Sequence, residues 1–470
     1  MNRSRGENAS VLVGLLWCLA LLSVLVIGVL HTSRLDLLVV KNHGDSIQAH
    51  YLALAGIEKA KALLYQDAAA RKKAAKNHSG ELYDSTKDFR DVPLGRGLFR
   101  IVRQGRVDEG SKLIYGVSDE ESRLNVNTAT IDQLIKTYGM LPEIAAAIID
   151  WRDSDSNVTP NGAEAEYYSA LRPPYLPRNG PFETLRELLM VRGVTRELFM
   201  GEDINQNGLL DPNEDDGSTS LPSDNHDGIL DAGWSGILTV NSQVRNRTAS
   251  GLERVDLQTA DEAALTGVKG ITSDIAKAII ARRGQNKFES LADLLEVSAP
   301  QPQQPPPQQQ NLQGNLPNQQ SGQPQDAAQA QAAQLQQNSG PKLIDENLLI
   351  DIADDVTTIS ASTLAGAINV NTASVDVLAC LPAITPELAQ AIVSYRQSAG
   401  YLPNVAWLLK VDGITRDIFK QIAPKVTVRS ETFRILSEGQ VTSTGAKKRI
   451  MAIVRIGASD IETLSYREDL

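Results

Sequence analysis

The chain has 470 residues, more than one average domain, and this length predicts two to four domains. Its formal net charge of -11 argues against broad contact with nucleic acid or anionic lipid, because binding phosphates requires local positive charge. Of the two cysteines, Cys18 lies inside an apolar run and Cys380 lies far along the chain. The sequence therefore does not indicate a disulfide scaffold.

The N-terminal segment predicts a membrane anchor. Residues 11–30 carry no charge and, at about 1.5 Å per residue, are long enough to cross a hydrocarbon core of about 30 Å. Arg3 and Arg5 precede this run, so the positive-inside rule keeps the N-terminus cytoplasmic and exports the bulk of the chain. A cleaved secretory signal is the alternative, but the run is long for one and no small-x-small cleavage site follows it.

The helix is expected to continue beyond the membrane. Residues 46–64 are rich in Ala and Leu and contain no proline. Together with the apolar run they predict one helix from about residue 8 to residue 65, roughly 85 Å long. Gly28, Gly44 and Gly56 are the weak points expected in this helix.

Strand patterns occur near both ends of the remaining chain. Residues 97–103 and 112–118 predict two early strands, and residues 432–438 and 449–456 predict a late hairpin. A mostly helical insertion lies between them, as a loop tip of a sheet can tolerate. The fold class is therefore α+β: a long N-terminal transmembrane helix, a small antiparallel β-sheet and a large inserted α-helical domain.

The insertion contains an internal repeat of short helix-turn-helix units. Each copy begins with a similar motif, and these motifs are Asn125-Val-Asn-Thr-Ala, Asp256-Leu-Gln-Thr-Ala and Asn369-Val-Asn-Thr-Ala. The threonine of each motif (Thr128, Thr259, Thr372) is expected to cap the first helix of its unit. Residues 299–340 are dominated by Gln, Pro and Ala and predict a disordered linker, because they offer almost no apolar surface to bury.

The strongest chemical signal is a loop that matches the twelve-residue calcium-binding pattern at every position. Its glycine, Gly208, permits a sharp turn, and its expected ligands are side-chain oxygens plus the carbonyl of Leu209. The full set of expected ligands is Asp203, Asn205, Asn207, Leu209, Asp211 and Glu214. An all-oxygen cage of this kind suits a hard cation, so calcium is the predicted cofactor.

A second, weaker loop follows the first. Its expected ligands are Asn225, Asp227, Ile229 and Asp231, after Ser223 at the first position. The twelfth position is Trp234, so a closing carboxylate has to come from elsewhere or the site is incomplete. Residues 197–244 contain no Lys or Arg, so their carboxylates repel one another without a cation. An acidic surface loop is the alternative for this region.

Other candidate sites carry weaker signals. Asp153 and Asp155 with Glu164 could form a further cation site, although a solvated loop is favoured. Residues 268–276 resemble a helix-hairpin-helix, in which backbone amides hold DNA phosphate, but Thr272 stands where such hairpins carry a second glycine. The repeats are therefore expected to pack rather than to bind nucleic acid. The five histidines are scattered with no nucleophile or zinc pattern around them, so no enzyme activity is predicted.

Several motifs in order resemble the K-type minor pseudopilins of type II secretion systems, the general secretion pathway protein K family. A basic leader ending at Gly6 before an apolar helix resembles a prepilin, and Val11 stands where most pilins carry glutamate, as in K-type members. Three internal segments resemble the family further, and these are residues 119–129, 151–167 and 182–195.

The resemblance implies how the N-terminus is processed and where the protein acts. Prepilin peptidase is expected to cut after Gly6, leaving Glu7 as the mature, methylated N-terminus, with the chain spanning the inner membrane once and its bulk in the periplasm. The implied function is that of a minor pseudopilin at the tip of the pseudopilus, which initiates assembly and supports protein export across the outer membrane. The implied partners are minor pseudopilins of the I, J and H types, the inner-membrane secretion platform and secreted exoproteins.

Two other functions stay open: a membrane-tethered DNA-uptake protein with helix-hairpin-helix modules, and a minor pilin of a type IV pilus. In chain order, the predicted parts are a leader (1–6), the long helix with its membrane span (7–65), a first β-part (66–120) and a first helical module (121–200). They are followed by the calcium loops (201–235), a second helical module (236–298), the linker (299–340), a third helical module (341–428) and a C-terminal hairpin (429–470).

Overall fold

The computed structural model describes residues 5–77, 80–220, 224–299, 340–457 and 460–468, with side chains from residue 11 onward. The predicted linker therefore lies outside the described residues except at its two ends, and so does Ser223 of the second loop. Gly6 and Glu7 lie in the first turn of the N-terminal helix.

Helix α1 runs unbroken from Arg5 to Ala74, so it is longer at both ends than the helix expected from the sequence. It is long and apolar enough to cross a membrane, with a mean hydropathy of 2.8 in its most apolar window and none of that window buried. Its distal half presents an apolar stripe at helical spacing, which packs on the sheet. The buried members of this stripe are Ala49, Ala53, Ile57, Ala60 and Leu64.

The main sheet has six strands in the order β1-β2-β14-β15-β16, with β5 also paired to β14. All of these pairs are antiparallel, and the central hairpin pairs Thr432 with Arg455 at one end and Gln440 with Lys447 at the other. The strands are β1 (Val92–Leu94), β2 (Gly97–Ile101), β5 (Ser118–Asp119), β14 (Thr432–Val441), β15 (Lys447–Ile456) and β16 (Ile461–Arg467).

The late hairpin is confirmed, and it is longer than expected. The sequence analysis missed β16, and the expected strand at 112–118 is present only as its two ends. These ends are β4 (Leu113–Ile114), which pairs with β3 (Arg103–Gln104), and β5. A short helix α2 (Thr86–Phe89) precedes the sheet, and a 3-10 turn (Val107–Glu109) connects β3 to β4.

The inserted domain lies between β5 and β14 and contains three repeated modules. In each module a two-residue strand at the start pairs in parallel with a strand at the end, so the module closes on itself. The pairs are β6 (Leu124–Asn125) with β7 (Leu238–Thr239), β9 (Val255–Asp256) with β10 (Val356–Thr357), and β12 (Ile368–Asn369) with β13 (Val426–Thr427). Strands β8 (Gln243–Arg245) and β11 (Thr363–Ala365) form an antiparallel pair between the modules.

Each module carries a short helix followed by a longer one, as the repeat predicted. The first module has α3 (Ile131–Ile135), α4 (Pro142–Arg152), α5 (Ala165–Ser169), α6 (Arg196–Met200) and α7 (Gly233–Ile237). The second has α8 (Glu262–Thr266), α9 (Ser273–Gln285) and α10 (Glu346–Ile352); the third has α11 (Val375–Ala379), α12 (Pro386–Ala399) and α13 (Arg416–Ile422). The remaining 3-10 turns are Leu185–Met190, Pro212–Glu214, Leu291–Glu296, Val405–Lys410 and Ala423–Lys425. Apolar side chains of all three modules merge into one core.

The expected helix caps were wrong by two residues. The side chains that accept the capping amide hydrogen bonds are Thr130, Asp261 and Ser374, not Thr128, Thr259 and Thr372. The motif itself forms a turn, because the side chain that opens it accepts the amide hydrogen two residues later. These bonds join Asn127 N to Asn125 Oδ1, Gln258 N to Asp256 Oδ1, and Asn371 N to Asn369 Oδ1.

Candidate metal centre

The first predicted calcium loop follows α6 and ends in the turn Pro212–Glu214. Gly208 has φ +71 with open space around it, so the left-handed backbone rather than crowding is what requires glycine there. Asp203, Asn207 and Glu214 are buried although all three are polar. Burial of these polar groups costs free energy unless each finds a partner.

Backbone amides already orient most of the predicted ligands. The Asp203 carboxylate accepts the amide hydrogens of Asn207 at 3.0 Å and Gly208 at 2.9 Å. Asn205 Oδ1 accepts from Asn207 N at 2.9 Å, and Asn207 Oδ1 accepts from Leu209 N at 2.6 Å. These contacts curl the loop around its own side chains, as a cation-binding loop requires.

Glu214 supplies the observation that points to a cation. Its Oε2 accepts from the amide of Asp211 at 3.1 Å, while its Oε1 is buried with no hydrogen-bond partner among the described residues. Burial, together with the charges of Asp203 and Asp211, raises the pKa of Glu214 to about 7. A buried carboxylate oxygen without a donor requires either a proton or a cation, so the loop fits a hard cation.

Asp211 differs from the other two carboxylates. Its Oδ2 accepts from the side-chain amides of Asn205 at 3.0 Å and Asn207 at 2.7 Å, and both of its oxygens contact Arg449. Burial raises the pKa of Asp211, but the two amides and the guanidinium outweigh it and hold that pKa below its usual value.

The second loop is closed by a residue that the sequence analysis missed. Glu202 Oε2 accepts from the amide of Asp231 at 3.1 Å, the same contact that Glu214 makes with Asp211 in the first loop. Gly228 has φ +72, and Asn225 Oδ1 and Asp227 Oδ1 each accept an amide hydrogen two residues later. No spacing rule could identify Glu202, because it precedes the loop by more than twenty residues.

Two further groups of ionisable side chains lie close together. Asp215, Asp224 and His226 bring their ligand atoms within 4.8 Å of one another beside the second loop. In the first module, Asp150, Asp153 and Glu164 each have a buried carboxylate oxygen without a partner among the described residues. The expected solvated loop was therefore wrong for Glu164, which is buried, whereas Asp155 is exposed. Asp150 was missed because it lies on the buried face of α4.

Two family models match the chain. The model for the first domain of type II secretion system protein K matches residues 114–200, and the helix-hairpin-helix motif matches residues 251–303 and 365–427. Type II secretion system protein K of Pseudomonas aeruginosa is 26% identical over 205 residues, which cover 40% of this chain and 58% of that protein. The chain is thus similar to type II secretion system protein K over its first module, and the curated relatives that it matches carry that name.

Other protein K relatives show the same partial coverage. That of Pectobacterium carotovorum is 29% identical over 205 residues, covering 42% of this chain and 61% of that protein. That of Aeromonas hydrophila is 32% identical over 143 residues, covering 24% and 43%. The chain thus spans about half the length of the curated relatives that it matches. A solved GspK-GspI-GspJ complex from enterotoxigenic Escherichia coli aligns with a TM-score of 0.35 and 14% identity, covering 93% of this chain and 99% of that one.

The matched segments leave the two calcium-type loops unmatched between them. The acidic group of Asp150, Asp153 and Glu164 lies inside the segment that matches the protein K model. Both calcium-type loops lie at residues 203–231, between the end of that segment and the start of the first helix-hairpin-helix match. The helix-hairpin-helix matches cover the second and third modules, in agreement with the resemblance noted in the sequence.

Proposed function

We propose that the chain is a minor pseudopilin at the tip of the type II secretion pseudopilus, where it initiates assembly and supports protein export across the outer membrane. The observation that carries this proposal is the combination of α1 with the inserted domain. The distal half of α1 packs on an antiparallel sheet, and its proximal half is left exposed and apolar. The three-module insertion between β5 and β14 is bulky enough to prevent a further subunit from stacking above it.

The membrane placement follows from the charge and length of α1. We place the single span in the inner membrane with the sheet and modules in the periplasm, because Arg3 and Arg5 precede the apolar run. Prepilin peptidase would cut after Gly6 and expose Glu7 for methylation. The similarity of the first module to type II secretion system protein K supports this assignment.

We propose that the chain acts in the assembly of the pseudopilus, and we assign it no catalytic reaction. Its proposed partners are the I, J and H types of minor pseudopilin, the inner-membrane platform and exoproteins. In this scheme calcium holds the acidic segment 203–231 in one conformation, so that the first module presents a defined surface. Asp203, Glu214 and the carbonyl of Leu209 would ligate the ion in the first loop, with Asn205, Asn207 and Asp211 completing the shell.

Co-production of the full chain with I- and J-type subunits tests this function. The expected result is a ternary complex in detergent that is lost when either small subunit is omitted, together with a mature N-terminus at Glu7 by mass spectrometry. An N-terminus beyond residue 30 would mean ordinary signal cleavage and would remove the pilin assignment. Duplex DNA binding at physiological salt, without a ternary complex, would favour the DNA-uptake alternative.

A further inference from the structure

Arg449 connects the first calcium loop to the main sheet. It lies on β15, and its Nη1 contacts Asp211 Oδ1 at 3.0 Å and Oδ2 at 3.1 Å. The two residues are 238 positions apart in the chain, so the contact exists only because the inserted module folds back on the sheet. It joins the side chain of a predicted cation ligand to the pilin-like part of the molecule, on which the side chain of Leu209 also packs.

The position of Arg449 is set by the sheet and not by the loop. Its Nε donates to Glu438 Oε2 at 2.9 Å, and Glu438 is a buried residue of β14 that also pairs with Arg100 and with Lys447. Arg467 at the end of β16 adds a second attachment, donating to the backbone oxygens of Asn205 at 3.2 Å and Gln206 at 3.1 Å. The loop therefore rests on two neighbouring strands of a prebuilt surface.

The predicted carboxylate ligands and Arg449 carry opposite formal charges. Asp203, Asp211 and Glu214 contribute three negative charges, and Arg449 contributes one positive charge, which leaves a formal charge of -2. A divalent cation would offset this charge, to which Arg434 adds a further positive contribution near Asp203. Without a cation, Asp211 is already paired with Arg449, whereas Glu214 Oε1 is without a partner among the described residues.

We propose that Arg449 sets the calcium affinity of the first loop by holding Asp211 as an internal counter-ion. This inference rests on the proposed cation site and assigns its regulation to a residue outside the loop. The guanidinium contacts both oxygens of Asp211, so these oxygens are less available to bind the ion than those of an unpaired carboxylate. It also places a positive charge beside the ion, which repels it. In return Arg449 stabilises the loop when no cation is bound.

Removing the charge of Arg449 should therefore increase the calcium affinity and decrease the stability of the calcium-free protein. In Arg449→Gln, Asp211 is released and the formal charge of the site becomes -3, so calcium should bind about tenfold more tightly. The calcium-free protein should melt at a lower temperature, because three carboxylates then repel one another without compensation. Lys448→Gln is the matched control: it removes the same charge from the next residue of the strand, which is exposed and points to the opposite face.

Calcium titration of the full chain in detergent, by calorimetry and by competition with a fluorescent chelator, decides the matter. Support requires tighter binding in Arg449→Gln than in Lys448→Gln, with the gap between calcium-loaded and calcium-free melting temperatures widened. Unchanged or weaker binding in Arg449→Gln, with calcium binding by the parent chain intact, would overturn the inference alone. Absence of calcium binding by the parent chain would remove the cation site and the inference together. Arg449→Lys, which keeps the charge, serves if the glutamine variant does not fold, and it should bind with nearly the parent affinity.

Discussion

At the scale of single residues, the first loop places the carboxylates of Asp203 and Glu214 where they are buried, and we expect its stability to depend on the proposed cation. Chelation should lower the melting temperature of the full chain, because the ion binds the folded state only and contributes about 2.7 kcal/mol at a hundredfold excess over Kd. Asp203→Ala combined with Glu214→Ala should abolish the response to chelator. Differential scanning calorimetry measures both effects, and Glu253→Ala, an exposed acid elsewhere, should respond like the parent.

Magnesium discriminates a calcium loop from general charge screening. It requires a smaller octahedral shell, so it should restore little of the melting temperature lost to chelator. If chelator had no thermal effect and calorimetry detected no calcium binding, residues 203–231 would have to be regarded as an acidic loop.

Glu121 is a buried carboxyl whose protonation should control stability at neutral and alkaline pH. Burial, with the neighbouring charge of Asp119, raises the pKa of Glu121 well above its ordinary value. Its oxygens accept the amide hydrogens of Gln243 on β8, between the first two modules, and of Thr432 on β14. The folded state holds the proton more tightly than the unfolded state, so this contribution is complete below the ordinary pKa of 4.5 and is lost as pH rises through the folded value.

Glu121→Gln should therefore flatten the loss of stability that the parent shows as the pH rises above 4.5 and through the raised pKa of Glu121, because the amide remains neutral throughout. The free energy of unfolding from urea titrations at each pH provides the measurement. The neighbouring Glu120 gives the opposite control. Burial raises its pKa, but Arg434 and Arg123 outweigh burial and lower it, so Glu120→Gln should destabilise the fold at neutral pH by losing an ion pair. Equal pH profiles for the parent and Glu121→Gln would contradict the assignment of a neutral Glu121.

At the scale of elements, glycine has different roles at different positions of α1. A Cβ added at Gly56 would lie 2.1 Å from Ser437 Oγ and 3.0 Å from the Phe99 ring, where α1 approaches β14 and β2. Gly56→Ala should therefore destabilise the fold by about 1–3 kcal/mol despite the better helix propensity of alanine. Gly44 has nothing within 4 Å, so Gly44→Ala should cause no loss.

Thermal melting of the two variants in detergent makes this comparison. Equal melting temperatures would mean that the packing of α1 on β14 relaxes to accommodate a methyl group. Gly56 is thus required by close packing, and α1 does not break there: the expected weak point is an uninterrupted part of the helix.

The elements that could be predicted are those with local signals. The apolar run, the late hairpin and the helix pairs each depend on periodicity or spacing within a short segment, so the sequence was sufficient to place them. The calcium ligands of the first loop stay a prediction, although its glycine turn is present. The parallel pairs β6–β7, β9–β10 and β12–β13 are two residues long and join distant segments, so no local pattern marks them. Glu202, Asp150 and Arg449 were missed for the same reason, since their roles depend on contacts made only after the chain folds.

At the scale of the whole molecule, three self-closing modules are attached to one pilin-like sheet. In each module the chain enters and leaves on two paired strands, so its first and last residues lie side by side. The module can therefore be inserted without changing the pairing of β14 with β2. Lys136 links the first and third modules, donating to the carbonyls of Ala379, Leu381 and Ile384 at the end of α11. The modules therefore form one body, in agreement with the apolar core that they share.

The second module also contains the segment predicted to be a linker, and the chain on either side of it is firmly held. Ala299 N donates to Pro341 O at 3.0 Å, Leu343 N donates to Val297 O at 3.0 Å, and Ser298 pairs with Lys342. The two ends of the segment are therefore already side by side in the folded protein. Replacing residues 300–339 with a turn of about four residues should leave the module intact.

The expected change in stability is small and favourable. Closing a loop of forty residues costs about 2 kcal/mol more chain entropy than closing one of four, so the shortened chain should be as stable as the parent or slightly more stable. Urea unfolding measures this, and a Gly/Ser segment of the original length is the control that should match the parent. A large loss of stability in the shortened chain, but not in the Gly/Ser control, would implicate the turn. A loss in both would show that the Gln- and Pro-rich sequence packs against the modules, contrary to its composition.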